Sequence, residues 1–472
     1  MPHSPFARKP VGAYFAEARA DAALRRALGA VDVLVIGIGA IVGAGIFVLV
    51  GVAARQAGPA VLLSFLLAAV ACAFAALCYA ELAAALPASG SAYSYAYAAL
   101  GEIVAWLVGW NLVLEYTLGA SLVASGWSGY CRSVLAGVGL ALPASLANNA
   151  WSAPGGVIDL PAVAIVVGLT VPVLIGIRES ATFTRAMVAL KISIVLVVTV
   201  VGAFHVRPAN WQPFAPLGPF AVLHAAALVF LAYVGFDVAS TTACEVRDPR
   251  RDLPVGILGS LLISALLYAG MVVVLTGMVP YDQIDAASPI DSAFQAAGLG
   301  AIGTIITAGA LVGLTSVLVA LLIGQPRIFF AMAHDGLLPP RAAAVHPRFQ
   351  TPVVTTLVSG VVIALAAGLV PIEDLANMTS IGTLLAFAAV CSAVPILRWR
   401  APDLSRGFRC PGSPAVPLLG TAICLALTLQ LDPATWVRLV IWTAIGLAIY
   451  FGYGRQHSRL EGAPAGPGAD ET

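Results

Sequence analysis

Charge is what this sequence has least of. Asp, Glu, Lys and Arg make up 10% of its 472 residues, against roughly 25% in soluble domains. Hydrophobic residues make up 60%, and the mean hydropathy is +0.95. A soluble globular class is thereby excluded, and the chain reads as an all-α integral membrane protein. Catalytic signatures are missing too. There is no phosphate-binding loop and no nucleophile paired with a base inside the apolar runs, so no enzyme is expected. The seven cysteines, Cys72, Cys78, Cys131, Cys244, Cys391, Cys410 and Cys424, are scattered without a CxxC pair and read as small buried hydrophobes. The six histidines form no cluster. His3, His334, His346 and His457 fall in loops or tails, while His205 and His224 flank the outer ends of apolar runs. No metal, cofactor or nucleic-acid partner is expected.

What is present is a succession of apolar runs, each long enough to span a bilayer at about 20 residues. They fall at 31–54, 59–85, 101–130, 157–177, 183–205, 217–243, 254–279, 298–325, 352–371, 375–398, 415–431 and 435–453, which predicts twelve transmembrane helices. Cytoplasmic loops hold an excess of Lys and Arg. With an inner N-terminus, 19 of the 24 basic residues fall on the inner side and four, Arg55, Arg132, Arg207 and Arg438, on the outer side. Such a bias requires an even helix count, so both termini are expected in the cytoplasm and the protein in the cell (inner) membrane. Residues 1–30 carry the pattern from Tyr14 to Leu28, which reads as an amphipathic segment on the inner surface rather than a signal peptide. The Gly-, Pro- and acid-rich tail, 454–472, is expected to be disordered.

The remaining basic residue, Lys191, lies within a span. Each intramembrane charge costs about 2.5 to 3.5 kcal/mol on insertion scales, which makes such residues functional candidates. Three qualify: Glu115 in the third span, Lys191 in the fifth and Asp237 in the sixth. Lys191 either snorkels to the inner surface or is a buried amine able to lose its proton in a transport cycle. Glu115 either makes a structural hydrogen bond or takes part in proton transfer. Asp237 can cap a half-helix, a role compatible with coupling. Glu81 and Glu102, at span ends, are expected at the interface, beside the inner connection Gly90-Ser91-Ala92-Tyr93-Ser94-Tyr95-Ala96-Tyr97.

Glycines interrupt the first span, Ile38-Gly39-Ala40-Ile41-Val42-Gly43-Ala44-Gly45-Ile46-Phe47, and the sixth, Phe230-Leu231-Ala232-Tyr233-Val234-Gly235-Phe236-Asp237. Lipid cannot satisfy the backbone groups that a broken helix frees, and paired breaks in corresponding spans point to a transporter's binding site. The half-helix that starts at Gly43 and Gly45 presents N–H groups bearing about half a positive charge, which suits a carboxylate. Carbonyls freed near Val234 and Gly235 suit an ammonium group. Together they describe a zwitterion, an α-amino acid held by backbone at both poles. Close helix packing through GxxxG-type contacts is the competing explanation for the glycines.

These residues resemble the amino acid–polyamine–organocation superfamily and, within it, bacterial relatives of the cationic amino acid transporters. The resemblance rests on Gly37 to Phe47, Tyr79-Ala80-Glu81-Leu82, Gly90 to Tyr95, Ala232 to Asp237, and Gly324 to Pro339. It implies a LeuT-like fold with an inverted 5+5 repeat and broken helices 1 and 6. The first repeat would span 31–205 and the second 206–399, with helices 11 and 12 in 400–453. It further implies substrate contacts at Ile41, Val42, Gly43, Ala44 and Gly45 and at Phe230, Leu231, Val234 and Gly235, with proton coupling through Lys191, Glu115 and Asp237. Ala44 stands where many relatives carry Thr, and Leu231 where an aromatic gate is common, so the cavity is expected to be roomier or less polar. Thr315 and Ser316 are hydroxyl residues of the kind that helps coordinate sodium in the wider fold. They are read here as partners of the Lys191 ammonium. Cys131 lies near the place where light chains of heteromeric exchangers bond a heavy chain, but at a helix end, and no such partner is expected.

The function expected from this reading is import of a small or medium neutral amino acid by proton symport and alternating access, with protons and membrane lipids as the other partners. An exchanger or sodium-coupled symporter of the same fold, or a non-transporting sensor or channel, remain the alternatives.

Overall fold

The computed structural model describes residues 4–20, 28–86, 90–175, 181–243, 246–286, 288–346 and 351–462. Among these the chain is nearly all helix, with three isolated β-bridges and no strand. The helices are α1 (Val11–Ala20), α2 (Ala30–Ile41), α3 (Val50–Ala57), α4 (Val61–Ala85), α5 (Ser91–Ala99), α6 (Glu102–Gly137), α7 (Ala144–Ala147), α8 (Leu160–Ile175), α9 (Ala181–Ala203) and α10 (Gly218–Val229). They continue as α11 (Phe236–Thr241), α12 (Pro249–Met278), α13 (Pro289–Ala296), α14 (Gly300–His334), α15 (Val353–Leu369), α16 (Ile372–Arg400), α17 (Ala415–Thr428), α18 (Pro433–Ile449) and α19 (Arg455–His457). Eight stretches are long and apolar enough to cross a membrane, the first of them, Ala30–Ala85, holding α2, α3 and α4. Three shorter apolar helices, α8, α15 and α17, accompany them.

The outward faces explain why these helices need lipid. Leu63, Leu66, Leu67 and Val70 form one exposed apolar stripe on α4, and Val354, Leu357, Val358, Val361, Val362 and Leu365 another on α15. In water such stripes would be uncovered hydrophobic patches. In a bilayer they meet acyl chains, while the small and polar side chains turn inward.

The breaks predicted in the first and sixth spans are present. Helix α2 stops at Ile41 because Val42 turns extended (φ −74°, ψ 90°), and the chain resumes as a π-turn over Gly45–Leu49 that runs into α3. In the sixth span, α10 tightens to a 3₁₀ turn over Phe230–Tyr233. Val234 is then extended, Gly235 takes φ +132°, and α11 starts at Phe236. Two requirements meet at Gly235. Its φ is one that side-chain-bearing residues rarely adopt, and a Cβ there would lie 2.6 Å from Ala40 C and Ile41 N. The sixth span therefore crosses the first at its break, backbone against backbone.

The N-terminal and C-terminal segments among the described residues pack at one end of the bundle. The Glu102 and Ile103 N–H groups donate to the Ala7 and Pro5 carbonyls (2.9 Å each). Lys9 pairs with Asp335 (3.0 Å), which also accepts from the Tyr93 hydroxyl (2.7 Å). The N-terminal segment, expected as a helix lying on the membrane surface, thus docks on the protein, with Tyr14 buried and donating to the Ser94 carbonyl. Residues 21–27 of that expected helix lie outside the described residues. Glu81 and Glu102, at the span ends, are buried, and each has charge or hydroxyl partners. Arg398 grips the Glu81 carboxylate through two nitrogens (2.8 and 2.6 Å), and the Cys410 N–H adds a third donor (2.7 Å). Glu102 accepts from Tyr97 (2.8 Å), Tyr450 (2.9 Å) and Ser458. Short helical turns over Arg455–His457 and Arg459–Gly462 continue beyond the expected start of the tail at 454. Residues 463–472 of the tail, and Cys244, lie outside the described residues.

Gly235→Ala combines a strained φ with a backbone clash that no rotamer relieves. The variant is expected to lose most of its monodisperse peak in detergent size-exclusion chromatography. A wild-type peak and Tm would show that this crossing does not constrain the fold.

Candidate functional site

Every broken helix leaves carbonyls at the end of one half and N–H groups at the start of the other. At the end of α2, the Ile38 carbonyl accepts from Val42 N–H (2.8 Å), so the carbonyls of Gly39 and Ile41 must look beyond their own helix. Lys191, on α9, donates from Nζ to the Gly39 carbonyl (3.1 Å). The hydroxyl of Tyr268, on α12, bonds the Ile41 carbonyl (2.7 Å). The same hydroxyl lies 2.9 Å from the Ala232 carbonyl in the sixth-span break. One buried tyrosine oxygen therefore joins the two unwound segments.

The start of the next half-helix is different. The Ile46 and Phe47 N–H groups fold back on the Gly43 carbonyl (3.3 and 3.2 Å), so the N–H groups of Gly43, Ala44 and Gly45 stand at the positive end of the dipole. Gly45 is held close to the sixth span, since a Cβ on it would meet Ala232 Cα at 2.5 Å. A Cβ on Gly43 would meet Val317 Cγ2, on α14, at 2.9 Å. The glycines thus serve close packing and the break together.

In the sixth span the freed carbonyls are partly taken up. Ser380 donates to the Leu228 carbonyl (2.9 Å), Val234 N–H to the Leu231 carbonyl (3.1 Å), and the Cys72 thiol lies 4.0 Å from the Phe230 carbonyl. Of the nine positions expected at the substrate, Ala44, Leu231 and Val234 are half-buried, and Ile41, Val42, Gly43, Gly45, Phe230 and Gly235 are buried. All nine lie in or beside the two breaks.

The three intramembrane charges separate in role. Lys191 does not snorkel: it is 2% exposed and its ammonium is at the C-terminal end of α2, where a helix dipole favours a cation. Asp237, in the first turn of α11, accepts through Oδ1 from the N–H of the N-cap residue Gly235 (3.0 Å), so it pairs the helix start without being the cap itself. Glu115 is buried, lies within electrostatic reach of Asp237, and has Thr383 beside its carboxylate. Its Oε2 has no hydrogen-bond partner among the described residues, an uncommon state for a buried carboxylate oxygen. Thr315 accepts from Trp127 Nε1 (3.0 Å) and donates to the Leu311 carbonyl (2.7 Å), while Ser316 donates to the Gly313 carbonyl (2.9 Å). Lys191 lies on the same stretch of α14, with Cγ 3.3 Å from where a Gly313 Cβ would be.

Tyr268, Ser380 and Cys72 had no distinguishing signal in the sequence. Each sits in a long apolar run, where a polar side chain facing a break looks like one facing any helix.

The sequence model of the amino acid permease family matches residues 28–452, nearly the whole helical bundle. The chain belongs to the amino acid permease family. It is therefore a membrane transporter rather than an enzyme. The permease is 45% identical to the branched-chain amino acid permease BcaP of Bacillus subtilis over 467 residues, covering 98% of this chain and 100% of that one. It is 44% identical to the methylthioribose transporter of the same organism, covering 96% and 99%. It is also 42% identical to the vacuolar cationic amino acid transporter 4 of Arabidopsis thaliana, covering 80% of this chain and 64% of that one.

Replacing Tyr268 by Phe removes the single O–H proton that two buried carbonyls share, at about 1 to 3 kcal/mol for an unpaired group. Tyr268→Phe should lower the Tm of the detergent-solubilised permease clearly. An unchanged Tm would mean that the two carbonyls do not depend on that hydroxyl.

Proposed function

We propose that the permease imports a neutral aliphatic α-amino acid across the cell (inner) membrane together with a proton, by alternating access. The observation that carries this reading is the pair of touching mid-span breaks, one offering N–H groups and the other carbonyls. A carboxylate suits the N–H groups of Gly43, Ala44 and Gly45. An α-ammonium suits the carbonyl end of the sixth-span break. Between them the half-buried side chains, Ala44, Leu231 and Val234, are all aliphatic, which favours an apolar substrate side chain over a cationic one. The similarity to a branched-chain amino acid permease points the same way. The equally similar methylthioribose transporter names a ligand without the two charged poles. Thermal-shift screening with the twenty amino acids and methylthioribose separates these readings. Leucine, isoleucine or valine should give the largest shifts, and a shift with methylthioribose alone would overturn the zwitterion site.

In this reading Lys191 and Glu115 handle the proton. A charged Lys191 completes the end of α2 by holding the Gly39 carbonyl, and a neutral one, still a donor but without the charge, holds it more weakly. Proton occupancy and the packing of the first span are thereby linked. Glu115, with an unpaired oxygen near Asp237, offers the next resting place for a proton. The organisation that fits is twelve spans, counting the two legs of Ala30–Ala85 and the three shorter helices. Residues 31–205 and 206–399 would form inverted repeats, 400–453 two peripheral helices, and both termini would be cytoplasmic. The ties that gather at the terminal end, Lys9 with Asp335 and Arg185 with Asp32, would then close the inner mouth and open in each cycle.

Lys191→Ala should abolish accumulation of labelled leucine driven by a pH gradient in proteoliposomes, while the protein stays folded and membrane-inserted. Accumulation at the wild-type level would remove Lys191 from the coupling mechanism. If a sodium gradient alone drives uptake in the wild-type permease, the proton assignment fails.

A further inference from the structure

At the bundle end opposite the termini, a cavity of 490 Å³ opens between the end of α9, the turn Pro208–Trp211 and the end of α12. Nothing in the transport reading uses it. Its polar lining comes from His205, Arg207, Asn210 and Gln283, and its apolar rim includes Phe204 and Met278. Arginine is the one permanently charged residue in that lining, and no carboxylate is part of it, although Asp282 adjoins Gln283 in the chain. The wall is firmly built. Arg207 N–H and Asn210 Nδ2 both donate to the Gly277 carbonyl (2.8 Å each). A Cβ on Gly277 would come within 2.8 Å of Val206 and 2.9 Å of Trp211, so the turn lies directly on α12.

A second observation says what reaches the cavity. Leu196 and Val200 on α9 and Phe204, one residue past its end, recur at every fourth position, exposed by 48%, 58% and 85%. They form one apolar stripe that runs up the membrane-facing side of the helix and ends at the cavity rim. An acyl chain lying on that stripe brings its headgroup to Arg207. A guanidinium with neighbouring amide donors is suited to phosphate oxygens. We infer that this cavity binds the phosphodiester headgroup of an anionic lipid whose acyl chain packs along Leu196, Val200 and Phe204.

The test uses the purified full-length permease, delipidated and offered phosphatidylglycerol, phosphatidylcholine or inorganic phosphate, with bound lipid read by native mass spectrometry and stability by thermal shift. Phosphatidylglycerol should be retained and should raise Tm, with weaker retention as ionic strength rises. Arg207→Ala should reduce that retention about fivefold, the factor expected for one basic residue near an anionic lipid surface. Arg207→Lys should lose less, and Phe204→Ser should weaken retention without altering the charge. Equal phosphatidylglycerol retention by wild type and Arg207→Ala would overturn the site, as would equal retention of phosphatidylcholine. Stabilisation by inorganic phosphate as large as that by phosphatidylglycerol would make it a free-phosphate site and overturn the lipid assignment. None of these variants touches the helix breaks, so amino acid binding is read separately and its failure would not count against this inference.

Discussion

Everything in the centre of this permease follows from backbone groups that have lost their helical partners in an apolar medium. A continuous helix satisfies its own carbonyls and N–H groups, and lipid can satisfy neither. Breaking two spans at the same depth therefore obliges the rest of the bundle to supply partners. Tyr268 serves one carbonyl from each break, Lys191 serves Gly39, Ser380 serves Leu228, and Asp237 accepts from Gly235. These side chains come from α12, α9, α16 and α11 itself. The breaks are thus common ground for elements far apart in sequence, and the group left at their centre is the positive end of the half-helix at Gly43 to Gly45.

That arrangement joins stability to transport. The bonds that hold the carbonyl ends are short and buried, so the unwound segments are fixed in place before any ligand arrives. A preorganised site of this kind loses little conformational entropy when it binds. Lys191 differs from the hydroxyl partners because it can change charge. A tyrosine or serine hydroxyl holds a carbonyl without changing charge, whereas an amine at the end of α2 meets the helix dipole as a full charge only while protonated. Ties of another kind gather where both termini converge. Glu81 with Arg398 and Glu102 with Tyr97, Tyr450 and Ser458 are buried and several-fold bonded, while the Asp32 to Arg185 pair is more than half exposed on its arginine side. Exposed pairs of that type contribute about 0 to 1 kcal/mol, which suits contacts that must open repeatedly.

Much of this was legible in the sequence because glycine and charge are conspicuous in apolar runs. The two glycine-marked breaks stood out in the sequence, with close packing as the competing explanation for the glycines, and Lys191 stood out as a charge within a span, readable either as snorkelling or as buried. Family resemblance carried the LeuT-like architecture. Asp237 was readable only as two alternatives, and its bond to Gly235 N–H depends on a backbone turn that sequence does not specify. Tyr268 was not legible at all. Its neighbours are Leu, Ala and Gly in a long apolar helix, and its role comes from the angle at which α12 crosses two breaks. Thr315 and Ser316 show the same limit, because a hydroxyl that bonds the carbonyl of its own helix looks in sequence like one free to meet a partner. Glu81 and Glu102 end and open spans, and their burial was not legible because Arg398, Tyr450 and Ser458 bond them from more than 300 residues away, Tyr97 alone of the partners named being near in sequence.

The central claim is that main-chain N–H groups at Gly43 to Gly45 receive the carboxylate of a zwitterion. A cryo-electron microscopy map of the permease with a bound neutral amino acid tests it most directly. The account predicts ligand density in the gap between the two breaks, its carboxylate within hydrogen-bonding reach of those N–H groups and its ammonium facing the carbonyls of the sixth span. Ligand density elsewhere in the bundle, with the Gly43 to Gly45 segment unchanged and unoccupied, would contradict it.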